Sequence, residues 1–211
     1  MSGEYRTAFD RSVSDREGFW LDAARDIDWE SPPTTAYGEG RWFPDGRLNT
    51  CVNALDRHVD AGHGDRTALI YDSAMIGVQR SYTYSELLDH VARFAGVLAA
   101  NGVTTGDRVV LYLPMIPEAV IAMLACARIG AVHSVVFGGF AAKELAARID
   151  DAEPVLLVTA SGGFEPGRVV EYLPIVEKAL AMATGTPPQV IVKSREGIAG
   201  EHSWLDWDEQ F

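Results

Sequence analysis

The chain has 211 residues, 47% of them hydrophobic, and a formal net charge of −12. That length and apolar content suffice for one sizeable core, or for a domain with a small extra piece. The acidic residues are scattered rather than blocked, which excludes the basic face that a nucleic-acid or anionic-membrane binder needs. Any anionic ligand must therefore be held by a few local donors. The two cysteines, Cys51 and Cys126, both fall in predicted helices and argue for buried thiols in a reducing compartment. The first residues lack an apolar leader core and no stretch is uncharged for long enough to span a bilayer, so a cytoplasmic protein is expected.

In chain order, Ser14 and Glu17 form a capping-box pattern before Phe19, Trp20, Ala23, Ala24 and Ile27, which predicts a short amphipathic helix over about 15–26. From Asp28 to Gly46 the aliphatics nearly vanish. Trp29, Tyr37, Trp42 and Phe43, with Pro32, Pro33 and Pro44, predict an irregular aromatic-rich arm docked by its rings. Asn49 or Thr50 can cap a helix that carries Cys51, Val52, Leu55 and Val59 and ends at Gly62. His58 and His63 lie near Cys51, but the spacing matches no closed tetrahedral metal site.

The runs 67–72 and 78–82 predict a hairpin, the one antiparallel signal in the chain, with Val78, Arg80 and Tyr82 on one face. Thr83 and Glu86 box the start of a helix whose apolar residues run from Leu87 to Leu98 and which Gly102 ends. A doubly apolar strand over 108–113 leads to a helix opened by Pro117, apolar nearly all round and so buried on most sides. The unit 130–160 then reads as strand, Gly138-Gly139 turn, crossover helix and parallel strand. A loop over 160–168, a helix from about Pro174 and a strand over 189–193 follow. The fold class expected is α/β: a doubly wound, mostly parallel sheet with flanking helices and the irregular arm in front. The polar stretch 194–211 has no C-terminal logic and looks cut.

No phosphate-loop, dinucleotide, nucleophile-elbow or zinc signature is present. The run Thr159-Ala160-Ser161-Gly162-Gly163 lacks the lysine of a phosphate cradle and reads as an ordinary turn. His133, inside a strand expected to be central, reads as a hydrogen-bonded core imidazole. Gly138-Gly139 and Arg168 are each weak signals. Both, however, follow the ends of predicted parallel strands, where open α/β sheets bind ligands, and the residues themselves leave a shared ligand site and two plain turns both open.

The stretches 42–58 (WFPDGRLNTCVNALDRH), 112–140 (YLPMIPEAVIAMLACARIGAVHSVVFGGF) and 163–180 (GFEPGRVVEYLPIVEKAL) closely resemble the amino-terminal part of short-chain AMP-forming acyl-CoA synthetases. The resemblance covers essentially the whole chain, and the third stretch is more similar to the propionate branch than to the acetate branch. It implies an arm over 1–62 and the first α/β portion of an adenylate-forming domain over 63–211, the front of a longer enzyme whose end at Phe211 is a truncation or a loss of order. That enzyme would activate propionate or acetate with ATP and Mg²⁺ to an acyl-adenylate and pass the acyl group to coenzyme A.

Carried over by position, the resemblance implies that Phe137, Gly138 and Gly139, with Glu165, Pro166, Gly167 and Arg168, form part of the coenzyme A site. Arg168 then stands near the 3′-phosphate. Glu165 replaces an arginine that acetate-branch relatives place beside the adenine, and a carboxylate cannot supply that cationic contact. The family's ATP-phosphate loop, acyl pocket and carboxyl-terminal lysine have no counterpart here, so the resemblance implies no catalytic and no metal-binding residue in this chain. These 211 residues alone are expected to be inactive. The partners implied are the small-molecule substrates, without nucleic acid or membrane, and self-association through the 117–129 helix and the ringed arm. A stand-alone nucleotide-binding or regulatory α/β module is the competing reading.

Overall fold

Residues 3–198 and 200–211 are described by a computed structural model, which divides into the units Met1–Arg57 and His58–Phe211. The first unit opens with α1 (Gly3–Ser14) and α2 (Arg16–Ala23). The cap between them differs from expectation. Asp15, not Ser14, accepts the Gly18 N–H at 3.1 Å. The Ser14 hydroxyl instead donates back to the Asp10 carbonyl at 2.8 Å, because Ser14 still belongs to the preceding helix. α1 has no buried residue: its apolar residues Tyr5, Phe9 and Val13 recur at i, i+4 and i+8 on one side of the helix but stay exposed.

The arm is less irregular than expected, since β1 (Tyr37–Gly38) and β2 (Arg41–Trp42) pair antiparallel. Its rings pack on one another: Trp42 meets Trp20 at 5.0 Å and Tyr37 at 5.2 Å, and Trp29 meets Phe43 at 5.4 Å. Offset and edge contacts of this kind follow from the ring quadrupole. Asn49 caps the helical stretch as expected, its Oδ1 accepting from Cys51 N at 2.9 Å, and Val52–Asp56 is wound as a π-helix.

In the second unit, the π turn Val59–His63 ends where Gly62 takes φ 79°. β3 (Thr67–Ser73) and β4 (Val78–Thr83) form the expected hairpin. α3 (Tyr84–Ala100) starts at a complete capping box, with Glu86 N–H on Thr83 Oγ1 at 3.2 Å and Thr83 N–H on Glu86 Oε2 at 2.8 Å. Then come β5 (Arg108–Leu113), α4 (Pro117–Ile129), β6 (Val132–Phe137), α5 (Ala142–Ala152) and β7 (Leu156–Ala160). β8 (Gly162–Glu165), β9 (Arg168–Glu171), α6 (Leu173–Met182), β10 (Gln189–Lys193), β11 (Leu205–Asp206) and α7 (Trp207–Gln210) complete the chain.

The main sheet runs β11-β10-β7-β5-β6 with every pairing parallel. Its first strand lies inside and the second beside it, so the winding reverses between β5 and β7. Ligand crevices open at such switch points, outside the carboxyl ends of the strands. α5 and α6 cover one face, closing over Val110, Tyr112, Leu157, Val190 and Val192. The alternate residues Val109, Leu111, Val158 and Ile191 are also buried and face the opposite way, toward the layer in which α4 packs with α3. No residue of α4 is exposed, as its all-round apolarity required.

Two expectations fail in this unit. β6 is an edge strand, so His133 is exposed and is no core imidazole, and Val135 is 58% exposed. The hairpin of β3 and β4 is not the only antiparallel pair: β8 and β9 form another, where a plain loop was expected over 160–168. Within the stretch 194–211, Asp206 caps α7 and Trp207 stacks on Phe94 with centroids 3.8 Å apart. Among the described residues no helix is long and apolar enough to cross a membrane.

Cys51 and Cys126 are fully buried, and burial pushes the Cys126 thiol up to about 12. Thiolate is the reactive form. Both thiols should therefore resist an aromatic disulfide reagent at pH 8 and titrate fully only after guanidinium is added, whereas rapid labelling of the native protein would contradict the packing.

A candidate ligand site at the carboxyl end of the sheet

Two connections meet at the switch point. The first is the turn between β6 and α5. Tyr112 on β5 holds it from below, its hydroxyl donating to the Phe140 carbonyl at 2.9 Å and accepting from Gly139 N–H at 3.4 Å. A side chain at Gly138 would put Cβ 2.5 Å from the Tyr172 hydroxyl and 2.8 Å from the Leu113 carbonyl oxygen. Gly138 is thus demanded by packing. Gly139 is different: its Cβ would meet nothing closer than 3.7 Å, but its φ of +133° is one that side chains rarely adopt.

The second connection is the hairpin of β8 and β9. Its two-residue turn, Pro166-Gly167, pairs a residue with preset φ with a glycine at φ 76°. Across the turn Glu165 and Arg168 are register partners, and Arg168 Nε donates to Glu165 Oε2 at 2.8 Å, with Nη2 2.6 Å from the same oxygen. Arg168 is 70% exposed. At the hairpin's base Ser161 is buried, its Oγ accepting from Arg195 N–H at 3.0 Å, and a Cβ on Gly162 would strike the Val170 carbonyl oxygen. The run 159–163 is therefore a packed strand-to-hairpin junction with no free cradle, and it does not fit an ATP phosphate or its Mg²⁺.

Between the two connections lies a cavity of about 380 Å³. Phe137, Gly138 and Glu165 line it, together with Gly163, Tyr172 and Arg195. Glu165 Oε1 would lie 3.9 Å from a Cβ on Gly139, so the two loops bound one space. Pro166, Gly167 and Arg168 are not in its wall. They sit at the tip of the hairpin, where Arg168 belongs to the rim. Burial, then the neighbouring Tyr112 and Glu165, push the Tyr172 hydroxyl up to about 12, so at neutral pH it is a hydrogen-bond donor. Phe137, 67% exposed, offers an aromatic face at the mouth. Glycine backbone, an aromatic platform and cationic side chains fit a flat base linked to phosphate groups.

Sequence reading missed Tyr112, Tyr172 and Arg195 here. The tyrosines look like ordinary strand and helix residues, and Arg195 falls in the polar stretch 194–211, which carries no motif.

Residues 55–209 match the family described as AMP-binding enzyme, and residues 5–54 match the acetyl-coenzyme A synthetase N-terminus. The mitochondrial acyl-CoA synthetase short-chain family member 3 of Bos taurus is 50% identical over 99% of this chain and 32% of its own length. The acetyl-coenzyme A synthetase of Streptomyces avermitilis is 47% identical over 88% of this chain and 29% of its own. Among solved structures, the acetoacetyl-CoA synthetase from Streptomyces lividans superposes with a TM-score of 0.87 at 30% identity, over 99% of this chain and 33% of that one. The chain thus spans about a third of the length of the relatives it matches.

Proposed function

Because the chain belongs to the AMP-binding enzyme family, we propose that it serves as the leading third of an acyl-CoA synthetase that activates propionate or acetate with ATP and Mg²⁺ and delivers the acyl group to coenzyme A. Its own part is structural and ligand-binding. The sheet positions the β6–α5 turn and the β8–β9 hairpin, and these hold the nucleotide end of coenzyme A. The observation that carries this reading is the meeting of both loops on one cavity at the switch point.

Within the site, Gly139 offers backbone to the ligand, Phe137 a stacking face, and Arg168 a guanidinium for the 3′-phosphate. Glu165 holds that guanidinium until the phosphate displaces it. No residue of this chain is assigned to ATP or Mg²⁺. The two buried cysteines support a reducing compartment such as the cytoplasm, and the exposed apolar edge at β6, in place of the covered 117–129 helix, supports self-association.

The test uses a polypeptide of the relatives' length that begins with this chain. It should catalyse carboxylate-dependent ATP–pyrophosphate exchange and thioester formation, while the 211 residues alone do neither. Arg168→Ala removes a charge-assisted hydrogen bond, so the KM for coenzyme A should rise about tenfold or more, with exchange and the use of 3′-dephospho-coenzyme A near wild type. Equal loss with both thiols would remove Arg168 from the site, and exchange by the 211 residues alone would overturn the division of labour.

A further inference from the structure

Arg195 follows β10 and stands in the wall shared by the 380 Å³ cavity and a neighbouring one of about 300 Å³. Its guanidinium lies 4.9 Å over the Phe164 ring, and Nη1 donates to the Gly162 carbonyl at 3.1 Å. Those contacts fix the plane of the group and use one of its five N–H donors. The nearby cations differ from it: Arg80, which lines the smaller cavity, is exposed to solvent. Lys193 is paired with Glu118 at 3.8 Å and with Asp208, and Arg168 is clamped by Glu165. Among the described residues no carboxylate lies within 4.0 Å of the Arg195 guanidinium.

A half-buried cation without an anionic partner, preorganised on an aromatic face in a chain of net charge −12, is a local exception to a field that repels anions. A planar fork of free donors matches phosphate oxygens.

We propose that Arg195 is an anion-binding residue of this cavity and takes the diphosphate of a nucleotide-linked ligand. The proposal deepens the coenzyme A reading and rests on it for the identity of that ligand. Arg168 at the rim and Arg195 inside then divide the phosphates, the first meeting the 3′-phosphate and the second the diphosphate bridge.

The test is titration calorimetry on the relatives-length polypeptide with coenzyme A, 3′-dephospho-coenzyme A and pantetheine. Arg195→Met keeps the stem and its packing on Phe164 but removes the charge. It should weaken both diphosphate ligands by the same factor, about ten- to a hundredfold, and leave pantetheine unchanged, with Arg195→Lys recovering part of the loss. If Arg195 only anchors the hairpin, all three ligands weaken together and lysine does not rescue, which overturns the proposal. If the wild type binds neither coenzyme A nor its dephospho form, the coenzyme A reading fails by itself, and inorganic pyrophosphate becomes the probe. Binding of pyrophosphate that Arg195→Met abolishes sustains the anion site, and no binding, or binding that the variant retains, ends it.

Discussion

Phe94→Ala should destabilise the second unit by about 3–5 kcal/mol, the range for emptying a fully buried aromatic site. Phe94 is 0% exposed and stacks on Trp207 at 3.8 Å with an interplanar angle of 19°. Against a total of roughly 5–15 kcal/mol for an ordinary domain, that loss approaches unfolding, and urea denaturation followed by fluorescence reads it directly. Trp207→Ala should cost a similar amount. Because the two rings are each other's neighbours, the double variant should cost less than the sum. A loss below about 1 kcal/mol for Phe94→Ala, set against that range, would mean that the last turn of chain is not part of the core.

Gly138→Val is the second large effect, and it acts on fold and site together. The new Cβ would sit 2.5 Å from the Tyr172 hydroxyl and 2.8 Å from the backbone oxygen of Leu113. Tyr172 has little room to yield, since a Cβ on Gly163 would also lie 2.8 Å from its hydroxyl. Overpacking of this kind costs about 1–3 kcal/mol, and relief by moving β5 would disturb the centre of the sheet. Coenzyme A binding should be lost along with stability. Gly138→Ala combined with Tyr172→Phe should regain part of the stability, because one of the two obstructing atoms is gone. Gly139→Val contrasts with it: the space is open and only the φ of +133° opposes the side chain, so binding should suffer while the midpoint moves less. The reverse order would refute the assignment of one glycine to packing and the other to ligand approach.

The interior strands were legible because β5, β7 and β10 are apolar on both faces, as a strand buried between helix layers must be. α3 was legible to the residue through Thr83 and Glu86. The edge position of β6 was not, since VHSVVF is as apolar as an inner strand and only the winding order decides which strand lacks a neighbour. The hairpin of β8 and β9 was hidden for a related reason. Gly162 and Gly163 look like turn residues, yet they sit inside a strand because Val170 and Tyr172 leave no room for a side chain. The loops flanking the cavity were found from strand ends and from resemblance. Arg195 was invisible because only the fold puts its guanidinium over Phe164 and, among the described residues, out of ion-pair distance of a carboxylate.

The central claim, that the β6–α5 turn and the β8–β9 hairpin jointly hold coenzyme A, is tested most directly by amide-resolved NMR during a coenzyme A titration. The account predicts saturable shifts in Gly138, Gly139 and Phe140 and in Glu165, Gly167 and Arg168, moving together with one dissociation constant, and shifts in the hairpin tip that shrink when 3′-dephospho-coenzyme A is used. Saturable shifts confined to one loop, or lying away from the carboxyl end of the sheet, would contradict it.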